Sequence, residues 1–277
     1  MPKAALFGVS LEGTRLMDTI TAVNLRLDRA GEHFEDLKQL VTHYEHSKPY
    51  TVSDGIEGEN EEHVYRLKFT SQPDDRIAVI AGDFLHNVRS ALNYLMRGLV
   101  PSARKDKTQF PIFSRDPFAR DPVTRKYVVR DPALRRSWNT YVEGADPRVL
   151  AYIKDIQPYS VGSRTGHIHR LIAVNWLSNS DKHRELIVTP CGLEDPERII
   201  RLPNGTAAIT PYSGRLKDGS EVFRSPTPVN VELDGTPFVL IRVGGSDRGE
   251  IEVDALFDTL LYVRGMIVGV LAAHLRR

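Results

Sequence analysis

Residues able to move a proton, neutralise a phosphate or orient a substrate gather on two short stretches of this 277-residue chain. The first, DFLHNVRSALNYL at residues 83–95, carries His86, Arg89 and Asn93. The second, NSDKHR at residues 179–184, carries Asn179, Lys182, His183 and Arg184. An imidazole whose pKa is about 6.5 can act as general acid or general base at neutral pH. Guanidinium and ammonium groups stabilise charge that develops on a phosphate. These types together point to metal-independent phosphodiester cleavage. His86 or His183 would be the acid or base, with Arg89, Lys182 or Arg184 stabilising charge and Asn93 and Asn179 orienting the reacting groups. The same residues would also serve as a buried polar network that fixes helix packing. Catalysis requires them in a cleft open to solvent; packing requires them closed off and mutually hydrogen-bonded. A metal site on His86, His183 and Asp83 or Asp181 fits less well. Asp181 projects away from Asn179 and His183 on a helical wheel, and no HExxH-type spacing exists, so no metal or cofactor is expected.

The elements that would position these groups are helices. Ile77, Ala81, Phe84, Val88, Ala91, Leu95 and Leu99 recur at three- and four-residue steps, which gives a core-facing stripe over residues 76–100. At about 100° per residue, His86, Asn93 and Arg97 fall together opposite, with Arg89 at the edge and Asp83, Asn87, Ser90 and Tyr94 alongside. A second helix over residues 166–183 places Asn175, Asn179 and His183 on the same side as Ile168, Leu171, Ile172 and Trp176. A buried asparagine without a partner costs about 1–3 kcal/mol, so these polar groups are expected to meet the polar face of the first helix.

Two further helices flank this pair. Residues 14–46 carry an apolar stripe from Leu16 to Tyr44 and predict a helix about 45–50 Å long, stopped at Ser47-Lys48-Pro49. Residues 254–277 are apolar almost all round apart from Asp258, Arg264 and His274, and read as a buried closing helix more than as a membrane span. Residues 50–70 read as a β-hairpin around the loop DGIEGENEE, which lacks the ligand spacing of an EF-hand. Residues 186–253 change to short alternating runs punctuated by Asn204-Gly205, Asp218-Gly219, Asp234-Gly235 and Gly244-Gly245, which predict tight turns in an antiparallel β-insertion.

The fold class that follows is α+β in a single domain, residues 1–277. Three long helices and one shorter make a bundle, with an N-terminal β-hairpin and a C-terminal antiparallel insertion before the last helix.

Residues 101–147 read as an irregular connector. From 104 to 136 it holds ten Lys or Arg against four Asp, and three Arg-Asp-Pro triplets that suggest turns. Arg104, Lys105, Lys107, Arg125, Lys126, Arg135 and Arg136, interleaved with Tyr127 and Trp138, are the candidate nucleic-acid contacts. A solvated connector anchored by QFPIF (109–113) is the plainer alternative. The net charge of +1, from 37 basic and 36 acidic residues, gives no global field toward nucleic acid or anionic lipid. The single cysteine, Cys191, excludes an internal disulfide and suits a reducing cytoplasm. No P-loop, GxSxG elbow or cysteine–histidine arrangement is present.

The pairing of LHNVRSAL with NSDKHR resembles a family of bacterial and phage proteins that share LHNxRSAL and NxDKHR motifs and have no assigned activity. The likeness extends over QFPIF, IQPY and the closing YVRG helix. In that pattern the position of Asn93 is usually Asp, so a carboxylate base there is missing from this chain. A more distant resemblance is to HEPN-type helical proteins, whose RNase members place an Arg four to six residues before a His. Arg164 and His169 satisfy that spacing, whereas His86 and Arg89 run in reverse order. The HEPN likeness implies action on RNA as nuclease or binder; a cytoplasmic protein without a membrane partner is the expectation from composition, and an exposed apolar face on the first or last helix would make a homodimer. The alternative is a non-catalytic binding or regulatory protein whose polar network is structural.

Overall fold

In a computed structural model, residues 17–101, 106–118, 131–161, 170–181, 186–202, 205–211, 214–243 and 251–275 are described. Helix α1 (Thr19–His46) begins where the Asp18 carboxylate accepts the Thr21 N–H at 2.9 Å. It buries Val23, Leu27, Ala30, Phe34 and Leu37 against α2 (Arg76–Leu99), whose stripe from Ile77 to Leu99 is wholly inside. Gly98 of α2 is required by close packing. A Cβ there would come within 2.7 Å of Thr19 and 2.6 Å of Leu275.

The connector is irregular over 106–118, as expected, but carries a helix in its second half. Helices α3 (Pro132–Tyr141) and α4 (Pro147–Asp155) both start at an Asp-Pro pair. Asp131 accepts from the Ala133 and Leu134 N–H groups, and Asp146 from that of Arg148, while proline takes the first helical position, where no N–H is needed. The triplet at 130–132 is therefore a helix cap. In the triplet at 115–117, Asp116 accepts the Phe118 N–H at 2.7 Å and does make a turn. A short α5 (Pro158–Val161) follows, then α6 (Arg170–Asp181), which packs on α2.

Two antiparallel sheets complete the chain. The hairpin β1 (Tyr50–Glu57) and β2 (Glu62–Phe69) forms with the expected register, but it does not stand alone. Strand β6 (Glu221–Ser225) adds to β2 as a third strand. The other sheet has the order β4-β3-β7-β8, with β5 also on β3. Its strands are β3 (Leu186–Arg201), β4 (Ala207–Pro211), β5 (Arg215–Leu216), β7 (Asn230–Val243) and β8 (Ile251–Glu252).

The expected bundle, with a hairpin and a separate β-insertion as appendages, is overturned by this arrangement. The described chain is a mixed α+β structure of seven helices and two sheets, and residues 186–253 are shared between both sheets. Tyr65 and Leu67 of the hairpin pack with Leu193, Leu216, Val222 and Val231 in a second apolar core. Edge pairing drives the difference: β2 would otherwise leave a row of backbone donors and acceptors exposed.

Asp234-Gly235 is also not a turn, since β7 runs straight through it. A Cβ on Gly235 would lie 2.8 Å from Pro196, and the bare backbone there both donates to and accepts from the Tyr50 hydroxyl.

Helix α7 (Val253–His274) closes the main core through Leu256, Leu260, Val263, Ile267 and Leu271. Its central segment, Val263–Val268, is π-helical, and the Tyr152 hydroxyl donates to the Met266 carbonyl there. Among the described residues, α7 is the one helix long and apolar enough to cross a membrane; 39% of its most apolar window is buried within the fold.

Candidate functional site

The polar face of α2 does not form one cluster. Asn87 donates to the Asp83 carbonyl of its own helix at 2.8 Å. Asn93 accepts the Phe110 N–H at 3.0 Å and so holds the QFPIF segment. On the far side of that segment the fully buried Gln157 accepts the Phe113 N–H and donates to the Pro111 carbonyl, both at 2.9 Å. Two amides thus satisfy an extended stretch that no neighbouring strand pairs, and Phe110, Ile112 and Phe113 enter the main core.

His86 is exposed on the outer side of α2. Arg89 turns inward toward Tyr141, and its Nη1 has no hydrogen-bond partner among the described residues. Burial pushes its guanidinium down to about 10, because the charged form is desolvated. Asn179 lies in α6 with its side chain outside the described residues. Lys182, His183, Arg184, Arg164 and His169 are also outside them, and with them the expected meeting of the two motifs; α6 and β3 pack on α2. Among the described residues, no group of three His, Cys, Asp or Glu could hold a metal ion.

A cleft of ≈ 350 Å³ opens further along α2, lined by Ser90, Asn93, Tyr94 and Arg97 and, across from them, by Asp106 and Thr108 of the connector. Arg26 of α1 contacts two of these lining residues, Ser90 and Tyr94. The guanidinium lies 3.6 Å from the centroid of the Tyr94 ring, while Nε donates to the Ser90 hydroxyl at 3.1 Å and Nη1 to the Ala22 carbonyl at 2.8 Å. Arg97 approaches the same ring at 5.8 Å.

Nine of the seventeen described arginines form ion pairs with Asp or Glu. Arg26, Arg89 and Arg97 have no carboxylate partner among the described residues. An arginine-flanked aromatic ring beside hydroxyl and amide groups can take an anion and a flat ring together.

The candidate nucleic-acid residues of the connector separate. Lys107 is exposed beside the cleft residues Asp106 and Thr108. Arg136 is exposed on α3, and Arg135 lies 5.6 Å from the Phe118 ring. Arg104, Lys105, Arg125, Lys126 and Tyr127 fall outside the described residues. Trp138 is buried against Phe113 and Phe118 and has no face open to a base.

Sequence reasoning singles out neither Arg26 nor Gln157. The IQPY motif was the available signal for Gln157; for Arg26 there was none. Comparison of the chain with protein-family models, curated proteins and solved structures finds no match.

Proposed function

We propose that this chain is a cytoplasmic, non-catalytic RNA-binding protein whose site is the cleft between α1, α2 and the start of the connector. The observation that carries this reading is the Tyr94 ring with the Arg26 guanidinium 3.6 Å and the Arg97 guanidinium 5.8 Å from its centroid, two cations that form no ion pair among the described residues although Asp106 also lines the cleft. Guanidinium groups of this kind take phosphate oxygens, and an arginine–tyrosine stack offers a planar surface to an unpaired base. The Ser90 hydroxyl, which accepts from Arg26, adds an O–H suited to a ribose or a base edge. In sequence, Arg104 and Lys105 stand next to the cleft residue Asp106.

Binding is favoured over cleavage because His86 does not line the cleft and Asn93 is committed to the connector backbone. The test is fluorescence anisotropy with a labelled single-stranded RNA in EDTA, using wild type, Arg97→Ala and Arg26→Ala. The wild type binds with an affinity that falls with salt, and each variant weakens it about tenfold, or 1.4 kcal/mol. Unchanged affinity in both variants, or no binding by the wild type, refutes the cleft as an RNA site. Shortening of the RNA in the same samples, lost in His86→Ala, would replace this reading with the RNase one.

A further inference from the structure

We infer that the outer face of α7 is a homodimer interface, formed by antiparallel packing against α7 of a second copy across a two-fold axis near Gly265. Every fourth residue from Phe257 to Ala273 is exposed: Phe257, Leu261, Gly265, Gly269 and Ala273. Phe257 is 40% exposed and Leu261 51%, and Met266 and Val270 widen the strip at 53% and 40%. A four-residue step in an α-helix drifts by about 40°. The π-helical segment, with about 4.4 residues per turn, draws the drift back and keeps all five positions on the outer side.

The order of the side chains identifies the occupant. Large residues, Phe257 and Leu261, stand in the N-terminal half; small ones, Gly269 and Ala273, stand in the C-terminal half; Gly265 lies between them. When two such helices are laid antiparallel about Gly265, Phe257 faces Ala273 of the second copy, and Leu261 faces its Gly269. Knobs therefore meet holes in both directions, as an isologous interface demands. Charge follows the same order. Asp254 and Asp258 are exposed at one end and His274 at the other, so the antiparallel pair sets acids beside the basic end and opposes the helix dipoles favourably.

The strip is bordered by the ion pairs Asp28–Arg264, at 2.8 Å, and Arg170–Asp258, at 3.2 Å, which form a polar rim around an apolar centre. Both arginines of that rim are already paired with aspartate, which leaves the rim no free cation for an anionic lipid headgroup.

The test is the solution mass of the full chain by light scattering across the micromolar range. A mass of twice 31.2 kDa is expected for wild type. Gly265→Leu reports the interface without disturbing the subunit, because a Cβ at Gly265 meets nothing within 4 Å. It should yield monomer with unchanged circular dichroism. Gly265→Cys in a Cys191→Ser background should oxidise to a covalent dimer, whereas Val79→Cys, exposed on α2, should not. A wild type that is monomeric at all concentrations overturns the inference. So does a dimer that survives Gly265→Leu, or a monomer that sediments with phosphatidylcholine vesicles. None of these outcomes depends on RNA binding.

Discussion

Asn93 Oδ1 accepts the backbone N–H of Phe110 at 3.0 Å, so a polar side chain of the central helix docks the connector. With Gln157 on the other side, it converts an extended segment into part of the core. Removing these amides should therefore be felt as stability. Gln157→Leu leaves the Phe113 N–H and the Pro111 carbonyl buried and unpaired and should cost about 3 kcal/mol. Asn93→Ala should cost about 1 kcal/mol, whereas Asn93→Asp, which keeps an acceptor, should stay within about 0.5 kcal/mol of wild type. Urea denaturation of the three variants decides this, and an Asn93→Ala protein as stable as wild type would remove the docking role.

Arg89 offers a contrasting case, a half-buried side chain whose Nη1 is enclosed with no hydrogen-bond partner among the described residues. Replacing a poorly compensated buried charge by an apolar chain of similar length is neutral or stabilising, by up to about 2 kcal/mol. Arg89→Met should accordingly melt at the wild-type temperature or above it. A drop of several degrees would mean that the guanidinium is compensated within the fold.

Tyr44 sets an alkaline limit. Its hydroxyl donates to the Ser71 carbonyl at 3.0 Å, and burial pushes the phenol up to about 12. In the unfolded chain it ionises near about 10. Between these values the unfolded state has released a proton that the folded state keeps, so the contribution is complete below pH 10 and declines as pH rises toward 12. Its size is about 1–2 kcal/mol once the solvent reaching the phenol is allowed for. Tyr44→Phe should be about 1 kcal/mol less stable at pH 7 and should lose stability less steeply above pH 10, as read by denaturant midpoints across the range.

Ser90 positions Arg26 over Tyr94. Ser90→Ala frees the guanidinium without opening the core and should weaken RNA binding about threefold with no shift in melting temperature. Equal affinity, measured beside Arg26→Ala, would show that the stack holds without the hydroxyl.

The sequence alone determined the local structure. The stripe from Ile77 to Leu99 specifies α2 because apolar spacing and helix period coincide. Pro49 ends the segment that became α1, and Asp218-Gly219 makes the turn it advertised, with Gly219 at φ 78°. Each of these is encoded within a few residues.

The tertiary structure alone decided which surfaces meet. Strand β6 leaves its sequence neighbours to pair with β2, because an open edge attracts whichever strand the fold brings within reach. Asp234-Gly235, locally a turn, is drawn into β7 because Tyr50 and Pro196 close on a bare backbone. His86, Arg89 and Asn93 share one helix face in the sequence, yet one is exposed, one turned half inward and one bonded to the connector. Helical spacing sets the angle of a side chain; the neighbour it meets depends on elements far away in the chain.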